Sequence, residues 1–273
     1  MYFAIVFAVS WGGVLLVIRS TGMPATPDDI ARLFPIALIV MLAGPTTAGL
    51  LMTGITSGKA GFKNLLSRFT KLKVGLQWYA FALAAVPMLV GPILWLLSQT
   101  WPSVYVPRIV TADNKFNLVI SALATGLAAG IFEEIGWTGF ATPNLRTKHN
   151  IVVTGLVVGL LWGLWHFLVT FWASGDPSGR LSQDLLLPPL VFYVGVLPAY
   201  RVLMVWVYDR TASLLISMLM HASLTTCTVF LLLPPATGTP LTKYYLILTV
   251  VLWAIIANLL PGSYNKSNKT SLA

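Results

Sequence analysis

The chain has 273 residues, 57 % of them hydrophobic and 9 % charged, with a formal net charge of +9. A soluble domain carries about 25 % charged residues, so this composition excludes a water-soluble globule. The basic residues fall in short segments between apolar runs, which suits the anionic inner leaflet of a membrane and not a nucleic acid.

Apolar runs of 18 residues or more are long enough to span a hydrocarbon core of about 30 Å as helices. Eight spans are expected, at 2–18, 33–54, 76–97, 117–140, 151–172, 186–207, 212–233 and 244–260. Strands are not expected, because an open sheet edge in lipid leaves backbone groups unpaired. The fold class is therefore all-α: a polytopic membrane protein with one domain over residues 1–262 and a polar tail over 263–273. The stretch Tyr2 to Ile18 lacks a basic start and a clear small-residue cleavage site, so it reads as the first span and not as a signal peptide. Between the second and third spans, Lys59, Lys63, Arg68, Lys71 and Lys73 alternate with Phe62, Leu65, Leu66 and Phe69 at helical spacing. That composition predicts an amphipathic interfacial helix, with a solvated basic loop as the alternative. Trp11, Trp78, Trp101, Trp172 and Trp253 fall where aromatic belts are expected. The single cysteine, Cys227, excludes an internal disulfide and a cysteine-based zinc cluster; its apolar setting reads as a small buried hydrophobe.

The excess of Lys and Arg in cytoplasmic loops sets orientation. With both termini inside, the inner segments hold Lys59, Lys63, Arg68, Lys71, Lys73, Arg146, Lys148, Arg201, Arg210, Lys266 and Lys269, eleven in all. The outer segments hold six: Arg19, Arg32, Arg108, Lys115, Arg180 and Lys243. The expected topology is N-in and C-in, in a bacterial plasma membrane.

Once loop charges are set aside, Glu133 and Glu134 remain on span 4, His166 on span 5 and His221 on span 7. The two glutamates are the only ones in the chain. Each ionisable group inside a bilayer costs about 2.5–3.5 kcal/mol on insertion scales, so these need partners, water or a task. At 1.5 Å of rise per residue, Glu133 and His221 lie about 15 Å and His166 about 22 Å from the inner ends of their helices. Three helices thus carry ionisable groups to similar depths, which predicts one polar cluster near the middle of the bilayer, tending towards the cytoplasmic side. His149, next to Lys148, reads as a solvated loop residue.

Such a cluster supports limited chemistry. A carboxylate can act as a general base, and an imidazole can share a water, hold a metal or stabilise an oxyanion. Asp is absent from the expected spans, so no Ser-His-Asp arrangement is available. Glu133, His166 and His221 together are compatible with zinc, although the H-E-x-x-H motif is absent.

The stretch around these residues resembles the CAAX prenyl protease and bacteriocin-processing (ABI) intramembrane protease family, which includes type II CAAX prenyl endopeptidases. Glu133-Glu134-Ile135-Gly136-Trp137-Thr138 is similar to its E-E-x-x-x-R motif. Trp162-Gly163-Leu164-Trp165-His166 is similar to its aromatic-x-x-x-His motif, and His221-Ala222-Ser223-Leu224-Thr225 to its H-x-x-x-N motif. The resemblance implies an eight-helix fold with a polar intramembrane cavity. It implies Glu133 as the group that activates water, supported by Glu134, with His166 and His221 completing the site. It leaves open a zinc-dependent or a metal-free mechanism. The chain departs from the pattern twice. Thr138 stands at the arginine position, and Thr225 stands where the pattern has asparagine, offering one hydroxyl donor instead of an NH₂.

The activity expected from this resemblance is hydrolysis of a peptide bond in a membrane-tethered protein or peptide, with His221 and Thr225 near the developing oxyanion. A catalytically weakened homologue acting as a binding or immunity partner is the first alternative, motivated by Thr138 and Thr225. A transporter is the second, because intramembrane carboxylates also serve ion pathways.

Overall fold

The computed structural model describes residues 1–260; the expected polar tail, with Lys266 and Lys269, lies outside them. Eight long helices carry the chain: α1 (Tyr2–Ile18), α2 (Pro27–Phe69), α3 (Leu76–Ser98), α4 (Lys115–Arg146), α5 (Ile151–Trp172), α6 (Gln183–Thr211), α7 (Leu214–Leu231) and α8 (Gly238–Leu259). All but α1, which has 17 residues, are long and apolar enough to cross a membrane. No strand occurs among the described residues; one antiparallel bridge, Gly175 to Leu181, closes the loop before α6. The protein is a polytopic all-α membrane protein, as the apolar runs predicted.

Several helix starts are fixed by local chemistry. The Asn114 and Asn150 side chains accept from the backbone N–H groups of Asn117 and Val153, each at 2.9 Å, capping α4 and α5. Thr26 and Ser213 do the same for α2 and α7, accepting from Asp29 and Ile216. These hydroxyl and amide oxygens satisfy donors that have no partner within the helix.

The amphipathic segment forms a helix, not a loop. It continues α2 beyond a bend at Gly58, whose φ of 53° and ψ of −142° suit glycine. Phe62, Leu66 and Phe69 are exposed on it, while Leu65 is buried against Leu214 and Met218. Arg68 docks it onto the bundle by donating to the Tyr208 hydroxyl at 2.7 Å and the Gly139 carbonyl at 2.8 Å.

Two of the expected aromatic and cysteine roles can be located. Trp172 is fully buried and donates its indole N–H to the Thr21 hydroxyl at 2.9 Å. It is an internal strut between α5 and the end of α1, not a belt residue. Cys227 is buried, as its apolar setting predicted.

The helices close tightly around the site because small residues stand at their crossings. On α4, a Cβ at Gly130 would overlap the Met218 carbonyl oxygen of α7, and one at Gly136 would overlap the Pro45 carbonyl oxygen of α2. On α5, a Cβ at Gly159 would lie 2.5 Å from the Pro198 Cα of α6. Without a hydrophobic drive between helices in lipid, such close backbone approach supplies much of the packing energy. α4, α6 and α7 each contain a π-helical turn, at Trp137–Ala141, Phe192–Val196 and Thr226–Leu231. Turns of this kind are frequent at functional sites, and each here adjoins a residue of the cluster described below. Gly130→Ala is expected to push α4 away from α7 and to destabilise the protein by about 1–3 kcal/mol. The measurement is thermal unfolding of the purified protein in detergent.

Candidate functional site

Four helices converge on Glu133 and Glu134. Consecutive helical residues point about 100° apart, so the two carboxylates face different neighbours. Glu134 turns towards α6 and α7. Its Oε2 accepts from Arg201 Nη1 at 2.8 Å and from the Thr138 hydroxyl one turn along α4. Its Oε1 accepts from Arg201 Nη2 at 2.9 Å and from His221 Nδ1 at 2.7 Å. A carboxylate has about four lone-pair sites, and all four are engaged. Glu133 is bound differently. Its Oε2 accepts from the Trp162 indole N–H at 2.7 Å, while its Oε1 lies 3.8 Å from His221 Nε2. One carboxylate is saturated, and the other keeps an oxygen in reserve.

The cluster is sealed from solvent. Glu134 and Arg201 are 0 % exposed, His221 is 2 % and Glu133 3 % exposed. A desolvated ion pair costs several kcal/mol per ion unless its geometry is good and its remaining lone pairs are satisfied. The forked Arg201–Glu134 pair meets both conditions on the carboxylate side, because guanidinium geometry matches a carboxylate in bidentate fashion, while the Arg201 Nε–H has no hydrogen-bond partner among the described residues. Trp162 holds the two halves together: its N–H binds Glu133 and the Arg201 guanidinium carbon lies 4.2 Å from its ring centroid. The His221 ring packs on the same indole at 4.8 Å.

Hydrogen-bond partners assign the imidazoles. His221 Nδ1 faces a carboxylate, so it carries the proton and donates. Neutral His221 therefore turns an Nε2 lone pair towards Glu133. His166 Nδ1 lies 2.9 Å from the Trp162 carbonyl oxygen, to which it donates, and its ring stacks on Tyr193 of the π-turn in α6 at 5.1 Å. Its Nε2 is likewise the unprotonated nitrogen in the neutral form.

The structure thus brings Glu133, Glu134 and His221 into direct reach of one another. His166 borders them through Trp162, four residues earlier on α5. Thr225 lies one turn beyond His221, is partly exposed, and makes no side-chain hydrogen bond among the described residues. Of the three side chains considered for zinc, Glu133 and His221 face each other while His166 stands apart. Among the described residues, no three His, Cys, Asp or Glu side chains are gathered so that they could hold a metal ion.

Arg201 is the member that sequence reasoning assigned elsewhere. It was counted with the inner loop charges, yet it sits in the middle of α6, ten residues before Thr211, and is fully buried. Removing it leaves ten inner basic residues against six outer, so the asymmetry persists. The signal was available: Arg201 lies six residues inside the expected end of the sixth span. A cation at that depth calls for a counter-ion, and the only glutamates in the chain supply one.

Comparison with known proteins covers this same stretch. The family model described as type II CAAX prenyl endopeptidase Rce1-like matches residues 115–227. The segment that holds the site is thus similar to that family, over a little under half of the chain. That segment contains every residue of the cluster from Glu133 to Thr225. A curated relative, CAAX prenyl protease 2 of Methanococcus maripaludis, is 25 % identical over 95 residues, which is 35 % of this chain and 35 % of that protein. The match therefore spans about a third of the relative's length.

Neutralising the saturated carboxylate would strand a cation. Glu134→Gln leaves Arg201 buried without a counter-charge, a change that typically costs about 3–5 kcal/mol. A matching loss of thermal stability in detergent is expected, larger than that of Glu133→Gln, whose carboxylate faces no arginine.

Proposed function

We propose that the protein is an intramembrane endopeptidase, in which Glu133 activates a water molecule for attack on a peptide carbonyl. The observation that carries this reading is the 3.8 Å separation of Glu133 Oε1 and His221 Nε2. Both atoms are acceptors when His221 is neutral, and a single water can donate one hydrogen to each at ordinary hydrogen-bond lengths of about 2.8 Å. A water held in this way presents its lone pairs to an incoming carbonyl. The Rce1-like match over residues 115–227 supports the same class of reaction.

The steps follow from what each side chain can hold. Glu133 takes a proton from the water as the oxygen attacks the carbonyl carbon, forming a tetrahedral intermediate. The Thr225 hydroxyl, one turn from His221, donates to the oxyanion. Collapse breaks the C–N bond, and the proton on Glu133 passes to the leaving amine. Glu134 holds His221 in the tautomer that leaves Nε2 free, so it acts through the imidazole and not on substrate. His166 offers a lone pair at Nε2 when neutral and a donor there when protonated. No step is routed through a metal ion.

The substrate class is the membrane-proximal part of a tethered protein or peptide, because the site is buried in the bundle and not on a surface. The name of the Methanococcus maripaludis relative, CAAX prenyl protease 2, makes a prenyl group one such tether. The site lies towards the cytoplasmic side in this reading, with the N-in and C-in topology that the basic loops support.

The test is cleavage of a membrane-tethered peptide library by the purified protein in vesicles. Glu133→Gln should lower the rate by about 10²–10⁴-fold without lowering the thermal midpoint by more than a few degrees. Cleavage at the wild-type rate by Glu133→Gln would sink the proposal. Thr225→Val should lower kcat by about 10²-fold, the usual consequence of losing one oxyanion donor, with little change in KM.

A further inference from the structure

We infer that Arg201 is a positioning residue that supplies, from α6, the cation that the E-E-x-x-x-R pattern places on α4, four residues after its second glutamate. The inference rests on the reading of Glu133 as the base, but its central contact can be tested without any cleavage assay.

Three observations carry it. First, Thr138 occupies the arginine position of the pattern and cannot neutralise Glu134. Second, Arg201 reaches Glu134 from the neighbouring helix with both terminal nitrogens, at 2.8 and 2.9 Å. Its Nη1 also lies 3.4 Å from the Thr138 hydroxyl, so the residue at the position the pattern prescribes touches the cation that serves instead. Third, α5 is shaped to admit this arginine. A Cβ at Gly159 would meet the Arg201 Cβ at 3.1 Å, and the Trp162 ring one turn on receives the guanidinium face.

The relocation changes how the site is held. A cation on α4 would pair with Glu134 at i, i+4 within one helix. Supplied from α6, the same charge ties α6 to α4 and, through Glu134, to His221 of α7. The orientation of the imidazole then depends on the distance between helices. Arg201 does not face the free oxygen of Glu133. Its effect on catalysis runs through Glu134 and His221, so it should alter kcat and leave KM nearly unchanged.

The experiment is a charge transplant, read by thermal unfolding in detergent and by cleavage of the tethered peptide. Arg201→Met should lower the midpoint by about 6–20 °C and kcat by 100-fold or more, with KM within threefold. Arg201→Lys, which keeps the charge but loses the fork, should fall between. The double variant Thr138→Arg with Arg201→Thr should recover at least half of the lost midpoint and bring kcat to within tenfold of wild type. Thr138→Met with Arg201→Thr, which restores volume without charge, should recover neither. A double-mutant cycle provides a second route if the transplant does not fold. Glu134→Gln combined with Arg201→Met should be more stable than either single variant, because both charges are then gone. Additive losses in that cycle would overturn the inference, as would a transplant no better than its methionine control. If the wild-type protein cleaves none of the peptides, the assignment of Glu133 fails while the thermal cycle still decides the pairing.

Discussion

The structure depends on one ion pair in a place where ions are expensive. Arg201 and Glu134 are both fully buried in a helical bundle whose outer faces are apolar. Left alone, either charge would cost several kcal/mol. Together they are tolerated because the guanidinium fork covers both carboxylate oxygens, and because Thr138 and His221 take the remaining lone pairs. The pair joins α4 to α6, and the imidazole adds α7. The helices that carry the polar residues are held in register by those residues themselves.

This saturation also gives two adjacent, chemically identical side chains different surroundings. Glu134 has no lone pair left to accept a proton from water. Glu133 has one oxygen fixed by the Trp162 indole and the other facing His221 Nε2 across 3.8 Å. Identity of residue type therefore does not imply identity of setting. The 100° turn between neighbouring helical positions sends one carboxylate to the guanidinium and the other towards the second ring nitrogen of His221.

Around this centre the remaining features serve distance and enclosure. Gly130, Gly136 and Gly159 let backbones approach where a methyl group would collide with a carbonyl or a Cα atom. The helix that follows Gly58 packs Leu65 against Leu214 and Met218 and anchors Arg68 on Gly139. Both contacts lie beside the π-turn that directly follows the glutamate pair. A segment composed for the membrane surface is thus bolted to the back of the site, and exposed Phe62 and Leu66 remain free to meet lipid.

What the amino-acid sequence determined by itself is the class of fold and most of the residues that gather in the buried cluster. Long apolar runs oblige helices, since only a helix satisfies its own backbone in lipid, and seven of the expected spans appear as long apolar helices at nearly the expected positions. The rarity of carboxylates in an apolar chain singled out Glu133 and Glu134, and depth along the helices associated them with His221. Tertiary structure decided the rest. Helical rise gives depth but not azimuth, so it cannot tell which neighbour a side chain faces. For that reason Thr138 read as a missing cation and Trp172 as a belt residue, and the depth of Arg201 was legible but its partner was not. Packing alone brought an arginine from a helix 67 positions along the chain onto Glu134, because Gly159 and Trp162 leave it a place to lie.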